Sequence, residues 1–420
     1  MNKETKKMIP ELRFPEFVND REWKIVPLDS VVVEFIVPMR DKPKNLNGLI
    51  PWCRIEDFDG MYLSKSKSNQ GVSLDTIKEM NLKVYPINTL LVSCSADLGR
   101  CAITSKELVT NQTFIGLVPN IDRVNTVYLY YIMIDSKNEL NARSSGTTIS
   151  YLSRQEFDKF EIQLPKPQEQ QKIASCLSSL DEVITAHIQK LEVLKTHKKG
   201  LMQNLFPQAG ETIPKWRFKE FVNDGEWKIN EFSNYIKLYR GSSPRPIQDY
   251  FTQNELGVNW IKIGDTKFAI NSIISKVEEK ITPQGAEKSR KVNKGELILA
   301  NSMSFGKTYQ LAIDGYIYDG WFVLREYEKH FYKPYLLQLL NSDYMQNQYS
   351  KFSAGGIVQN ISSEIVYRTM LLHTSLPEQQ KIADCLSSLD GLITAQTKKI
   401  EQLKLHKKGL MQGLFPKVND

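Results

Sequence analysis

The chain has 420 residues, 41% hydrophobic and 25% charged, with a formal net charge of +7, a length and balance ordinary for a soluble globular protein of two or three domains with a sizeable core. Five cysteines, an odd number without CxxC pairing, fit a reducing cytoplasm, and a lysine-bearing N-terminus with no apolar run offers neither an export signal nor a membrane span. The positive excess is a mild lean towards an anionic partner such as nucleic acid.

Taken in order, the chain repeats itself. Pro10 opens PELRFPEFVNDREWKI and Pro214 opens PKWRFKEFVNDGEWKI, so Arg13, Phe14, Phe17, Trp23 and Lys24 recur as Arg217, Phe218, Phe221, Trp227 and Lys228. Each opening leads into roughly 140 residues, about one typical domain. Inside, Trp52-Cys-Arg54-Ile-Glu-Asp57 answers Trp260-Ile-Lys262-Ile-Gly-Asp265, a strand running into a turn. The strand TLLVS before Gly99-Arg100 parallels ELILA before Gly306-Lys307, each followed by a polar loop ending in glycine plus a base. Helices are predicted near Leu74 to Met80 and Tyr128 to Ile134, recurring near Gly285 to Ser289 and Tyr335 to Leu340. Mixed strands and short helices give α+β or α/β domains. Each domain closes with a small polar loop, Ser144 to Ile149 and Ser353 to Ile357, then a last strand and a proline.

The strongest repeat follows. Glu169 to Pro207 returns as Glu378 to Pro416 without a gap, at an offset of 209 (378 minus 169). On a heptad the first copy places Leu177, Ile184, Leu191, Lys198 and Leu205 at a, and Ile173, Leu180, His187, Leu194 and Leu201 at d. The second places Leu386, Ile393, Ile400, Lys407 and Leu414 at a, with Ile382, Leu389, Gln396, Leu403 and Leu410 at d. Even the polar interruptions recur. Two amphipathic helices on separate cores would also show an apolar stripe, but a narrow stripe repeated with near identity points to one shared coiled coil. Each helix spans on the order of 55 Å at about 1.5 Å per residue, enough to hold two bodies apart. Pro165 and Pro167, and Pro377 with Ser375 and Glu378 at capping-box spacing, suit helix starts, while Pro207 and Pro416 stop them.

Catalytic signals fail on inspection. Phe305-Gly-Lys-Thr308 approaches a phosphate-binding loop, but the glycine required at position 301 is Asn301 and the following YQLAI reads as extended. Glu22-Trp-Lys24 and Glu226-Trp-Lys228 have the ExK form of a metal-dependent nuclease without a second acid on a neighbouring strand, so Trp23 and Trp227 read as packing anchors. The chain contains no Pro-Pro for an amino-methyltransferase tetrapeptide, and no GxG follows a strand to hold S-adenosylmethionine. Its five histidines form no ligand cluster, so no catalytic and no metal residues are expected. What remains is binding, through loops whose bases, hydroxyls, amides and aromatics suit phosphates and base edges. Each such loop, taken singly, is more often just a solvated turn.

The alternation of variable domain and near-identical helix, with Leu-Pro ahead of EQQKI at Leu164 and Leu376 and HKKGLMQxLFP ends at His197 and His406, resembles the specificity subunits of type I restriction-modification systems. The resemblance covers the whole chain. It implies two target-recognition domains, residues 1–165 and 208–374, separated by spacer helices 166–207 and 375–416 that pair as an intramolecular antiparallel coiled coil in a pseudo-two-fold repeat. It also implies a non-catalytic, cytoplasmic protein that reads a bipartite, asymmetric site in double-stranded DNA. The expected partners are two methyltransferase subunits, which methylate adenine N6, and restriction/translocase subunits; S-adenosylmethionine, ATP and Mg²⁺ are used by those partners, none by this chain. The candidate DNA-binding residues are Arg54, Arg100, Asn111, Gln112, Thr147, Thr148 and Tyr151 in the first domain. In the second they are Arg240, Ser243, Arg245, Lys262, Asn301, Ser302 and Lys307. A coiled-coil scaffold binding only proteins and a self-sufficient DNA-modifying enzyme are the alternatives.

Overall fold

The computed structural model describes residues 9–38, 42–95, 97–143, 152–302, 306–353 and 361–416. They form two compact units. One combines the chain up to Ala186 with the chain from Ile400, and the other is His187–Lys399.

In the first unit a five-stranded sheet runs in the order Val32–Ile36, Phe114–Pro119, Leu90–Ser93, Cys101–Thr104, Tyr62–Leu63. It is antiparallel except for the last, parallel pair. Every residue of Leu90–Ser93 and Cys101–Thr104 is buried, as the continuous apolar run of a strand covered on both faces requires. Alternate side chains divide between two cores. Leu90, Val92, Ile103 and Leu117 pack with the helix Thr126–Asp135, and Leu91, Ala102 and Phe114 pack with Phe58, Tyr85 and Leu108. The Asn125 side chain caps that helix by accepting from the Tyr128 N–H at 3.0 Å. Strands Lys24–Pro27 and Glu161–Leu164 pair antiparallel and tie the domain's entrance to its exit.

The second unit repeats this plan, with the sheet order Lys237–Arg240, Trp321–Arg325, Leu297–Ala300, Thr308–Leu311, Ile273–Ile274 and the entrance–exit pair Lys228–Glu231 with Met370–His373. The smaller sheet differs. It has three strands in the first unit, centred on Ile50–Cys53, and five in the second, centred on Val258–Ile261. The four predicted short helices are present as Leu74–Glu79, Thr126–Asp135, Pro283–Glu287 and Lys333–Leu340. Lys137–Ala142, Arg154–Asp158, Asp343–Ser353 and Ser363–Tyr367 are further helices that the sequence reading passed over. The closing loops at 144–149 and 354–357 lie outside the described residues.

The two long helices, Pro167–Leu205 and Leu376–Leu414, have 39 residues each. Within the first unit Ile173 and Leu177 share a core with Leu414 and Phe415, and the Lys407 ammonium donates to the Asp181 carboxylate at 2.6 Å. Numbers rise on one helix as they fall on the other, so the pairing is antiparallel. The second unit shows the same sense independently. Leu205 and Phe206 share a core with Ile382 and Leu386, Lys198 donates to Asp390 at 2.7 Å, and Gln396 donates to the His187 carbonyl at 2.7 Å. Along the seam Ile173, Leu177, Ile184, Ile382, Leu386 and Ile400 are buried, and Leu180, Leu191, Leu194, Leu389, Ile393 and Leu403 are half-buried. Flanking positions are mostly exposed, the pattern of a narrow knobs-into-holes stripe. One sequence signal has a different meaning here. The Glu378 carboxylate, spaced from Ser375 for a capping box, instead takes the Arg217 guanidinium through two bonds of 2.8 Å and accepts from the Thr374 hydroxyl.

Candidate nucleic-acid interface

Both units carry the same two scaffolded turns. After Ile50–Cys53, the N–H of Arg54 donates to Asp57 Oδ2 at 2.7 Å and that of Lys67 to Oδ1 at 2.7 Å. After Val258–Ile261, the N–H of Lys262 donates to Asp265 Oδ2 at 2.7 Å and that of Glu278 to Oδ1 at 3.0 Å. Asp57 and Asp265 are buried and spend their carboxylates tying two loop segments together. Burial raises the Asp265 carboxyl, and the two N–H donors oppose that rise. The residue entering the turn then projects a cation. Arg54 Nη2 donates to Gln70 Oε1 at 2.9 Å, and Lys262 Nζ lies 2.6 Å from Glu279 Oε1.

The second shared turn links the two innermost strands. Gly99 and Gly306 have φ of +78° and +69°, in the left-handed region that glycine enters without a Cβ penalty. Their N–H groups return to the carbonyls of Ser93 and Ala300. The following residues are Arg100 and Lys307. Arg100 donates to the Phe58 carbonyl at 2.8 Å and lies over the Phe58 ring at 5.8 Å, so Arg100 borders the turn that Arg54 opens. Lys307 is exposed. Asn111 is half-buried and accepts from the Thr113 hydroxyl at 2.7 Å, while Gln112 is exposed. Thr147, Thr148 and Tyr151 lie outside the described residues.

In the second unit four candidates converge on Asp319. Asn301 Nδ2 and Arg240 Nε donate to its carbonyl at 2.8 and 3.2 Å, the Ser243 hydroxyl donates to Oδ1 at 2.9 Å, and Arg245 Nη2 stands 4.0 Å from Oδ2 with its side chain 85% exposed. Ser302 bonds the Tyr318 phenol beside them, and burial raises that phenol. Asn301 is itself buried, so its amide is committed to holding the turn, and Arg245 is the donor left facing water. Asp319, Tyr318, Gln70 and Phe58 were missed in the sequence reading. The Tyr318-Asp-Gly320 tripeptide is the turn signal that would have found the first two.

Chemically, the arrangement offers bases, amides and hydroxyls on rigid turns, suited to phosphate oxygens and base edges. Burial pushes the thiols of Cys53 and Cys101 up to about 12 and that of Cys94 up to about 11, which makes them inert as nucleophiles. Among the described residues no group of three His, Cys, Asp or Glu side chains could hold a metal ion, and no helix is long and apolar enough to cross a membrane.

A family model described as the type I restriction modification DNA specificity domain matches residues 21–196 and again residues 226–405, and the chain belongs to that family. The chain is 30% identical over 246 residues to the MjaIX specificity subunit of Methanocaldococcus jannaschii, a match spanning 55% of each chain, about half the length of that relative. To the MjaVIII specificity subunit of the same organism it is 24% identical over 429 residues, 96% of this chain and 93% of that one. The crystal structure of the S subunit of a type I restriction-modification system from M. genitalium superposes with a TM-score of 0.60 at 14% identity, covering 98% of this chain and 100% of that one. At that identity the likeness speaks for the fold. Membership makes the chain a DNA-specificity subunit of the type I kind, a non-catalytic component.

Proposed function

We propose that the chain reads a bipartite, asymmetric sequence in double-stranded DNA, each recognition domain contacting one half-site. The observation that carries this is a scaffold built twice with different chemistry on it. The buried Asp57 and Asp265 and the left-handed Gly99 and Gly306 recur, while the side chains they present do not: Arg54 against Lys262, Arg100 against Lys307, and Cys94 against the turn-holding Asn301. Like frames with unlike donors suit unlike half-sites. Of the candidates, Gln112, Arg240, Arg245 and Lys307 have the exposure to reach a base or phosphate directly, and Arg54, Arg100, Ser243, Lys262, Asn301 and Ser302 shape the turns around them.

In this reading the subunit works in the cytoplasm with two adenine-N6 methyltransferase subunits and with restriction/translocase subunits. S-adenosylmethionine, ATP and Mg²⁺ serve those partners. The test is exchange of residues 25–161 for the corresponding domain of a relative, followed by methylation-sensitive sequencing of the host genome. One half-site should change while the other half-site and the gap stay as they were; a change in both half-sites would overturn the modular reading. Insertion of a heptad in both long helices should alter the gap alone.

A further inference from the structure

A polar groove of about 460 Å³ in the second unit is lined by Ser242, Glu287, Lys288, Arg290, Lys291, Asn293 and Arg325. None of these was a candidate from the sequence. The groove adjoins the Asp319 cluster through the chain segment that builds both, because Arg290 Nε donates to the Arg240 carbonyl at 3.1 Å and the Ser242 hydroxyl to the Lys288 carbonyl at 3.1 Å. The first of these bonds fixes the guanidinium fork, and Tyr239 supports it, with the Arg290 and Arg325 guanidinium carbons 5.7 and 5.5 Å from its ring centre. Arg325 is neutralised by Glu296 at 2.7 Å. Among the described residues the only hydrogen-bond partner of the Arg290 side chain is a carbonyl and that of Lys288 the Tyr250 hydroxyl, at 2.6 Å. The Lys291 ammonium has no partner among the described residues and lines a second cavity of about 430 Å³ as well, together with Lys280, Asn259 and Asp314, whose carboxylate accepts from the Lys294 N–H at 2.7 Å.

We infer that this groove is a sequence-independent clamp on the DNA phosphate backbone, present in the second recognition domain and missing from the first. The inference rests on the DNA-reading role proposed above. Cations held by neutral partners keep their charge for a ligand, and an oriented guanidinium fork matches phosphate oxygens. A track that continues from one cavity into the next through Lys291 suits an extended polyanion better than a small enclosed one. Register identifies the counterparts in the first domain. Tyr85 bridges Leu108 as Val292 pairs with Gly315, and Leu90 pairs with Leu117 as Leu297 does with Leu324. Lys288, Arg290, Lys291 and Arg325 therefore correspond to Asn81, Lys83, Val84 and Val118. Four cations in one domain, one of them paired with Glu296, stand against one in the other.

The full-length chain, with its modification subunit, would be titrated with a fluorescent mixed-sequence 30-base-pair duplex between about 50 and 200 mM salt. Each phosphate contact contributes about 0.9 to the slope of log affinity against log salt. The double variant Lys288→Gln, Lys291→Gln, which touches only exposed side chains, should lower that slope by up to ~1.8, and adding Arg290→Gln by up to ~2.7. The methylated sequence should stay that of the wild type. A slope equal to the wild type's, or an altered methylated sequence, would overturn the clamp and leave the DNA-reading role standing. Failure of the wild-type protein to bind the duplex at all would sink both.

Discussion

Arg13 and Arg217 each meet a glutamate at the start of a long helix, Glu169 and Glu378, through paired bonds of 2.8 Å. The side chains are 6% and 1% exposed in the first pair, 7% and 1% in the second. Each arginine is pushed above its ordinary range, chiefly by that hydrogen bond. Removing one partner leaves a buried charge uncompensated, at a cost of about 3–5 kcal/mol. Glu169→Ala should therefore unfold the first unit at lower urea, and Glu378→Ala the second, as read by denaturation of each variant; a loss under about 1 kcal/mol would show that water reaches the arginine. A second residue-scale effect is pH-linked. The His373 imidazole stacks on Tyr235 at 5.3 Å and 11°, and it is lowered first by burial, then by His330 and Lys228. Its folded value lies below the unfolded one of about 6.5, so the unfolded chain takes the proton first and stability falls as pH drops below that value. His373→Phe should flatten the urea midpoint between pH 5 and 7, and an unchanged slope would assign the acid sensitivity to other groups.

At the scale of elements, the long helices were legible because heptad spacing is a local property of the chain and both copies carry it. Antiparallel pairing in the first unit makes a specific demand. Ile173→Cys and Leu414→Cys, whose parent side chains share one core, should crosslink under mild oxidation in the full-length chain, whereas exclusive crosslinking of Ile173→Cys to Ile382→Cys would mean parallel pairing. The seam lysines show what spacing alone misses. Lys198 and Lys407 read as interruptions, yet each closes on an aspartate just outside the seam, Asp390 and Asp181, and those aspartates also accept from Gln338 and Tyr131 of the neighbouring domain helices. The candidate interface was legible in outline, through the paired motifs at Arg54 and Lys262 and at Gly99 and Gly306. The Asp319 cluster was not, because Arg240, Ser243, Asn301 and Asp319 come from separate stretches that only the sheet order brings together. The same holds for the groove around Arg290, whose cations are scattered from Lys288 to Arg325.

At the scale of the molecule, the two units differ in how the chain supplies them. His187–Lys399 is one uninterrupted stretch, and its Trp227 and Tyr335 rings are closed by Phe206 from within that stretch. The first unit needs both ends of the chain. The Leu12 N–H donates to the Gly413 carbonyl at 2.8 Å, and Phe415 lies 6.5 Å from Trp23 and 5.9 Å from Tyr128, where Phe206 lies in the other unit. The second unit therefore draws its whole core from one continuous stretch, while the first closes only when the segment from Ile400 packs back on it. A chain stopped after Lys408 loses Leu414 and Phe415 from the first core, at about 3–5 kcal/mol for a large buried aromatic alone, so limited proteolysis should degrade the segment before Ala186 and spare His187–Lys399. Loss of the segment after Lys408 would thus be felt most in the domain that lies before Ala186, more than two hundred positions away along the chain.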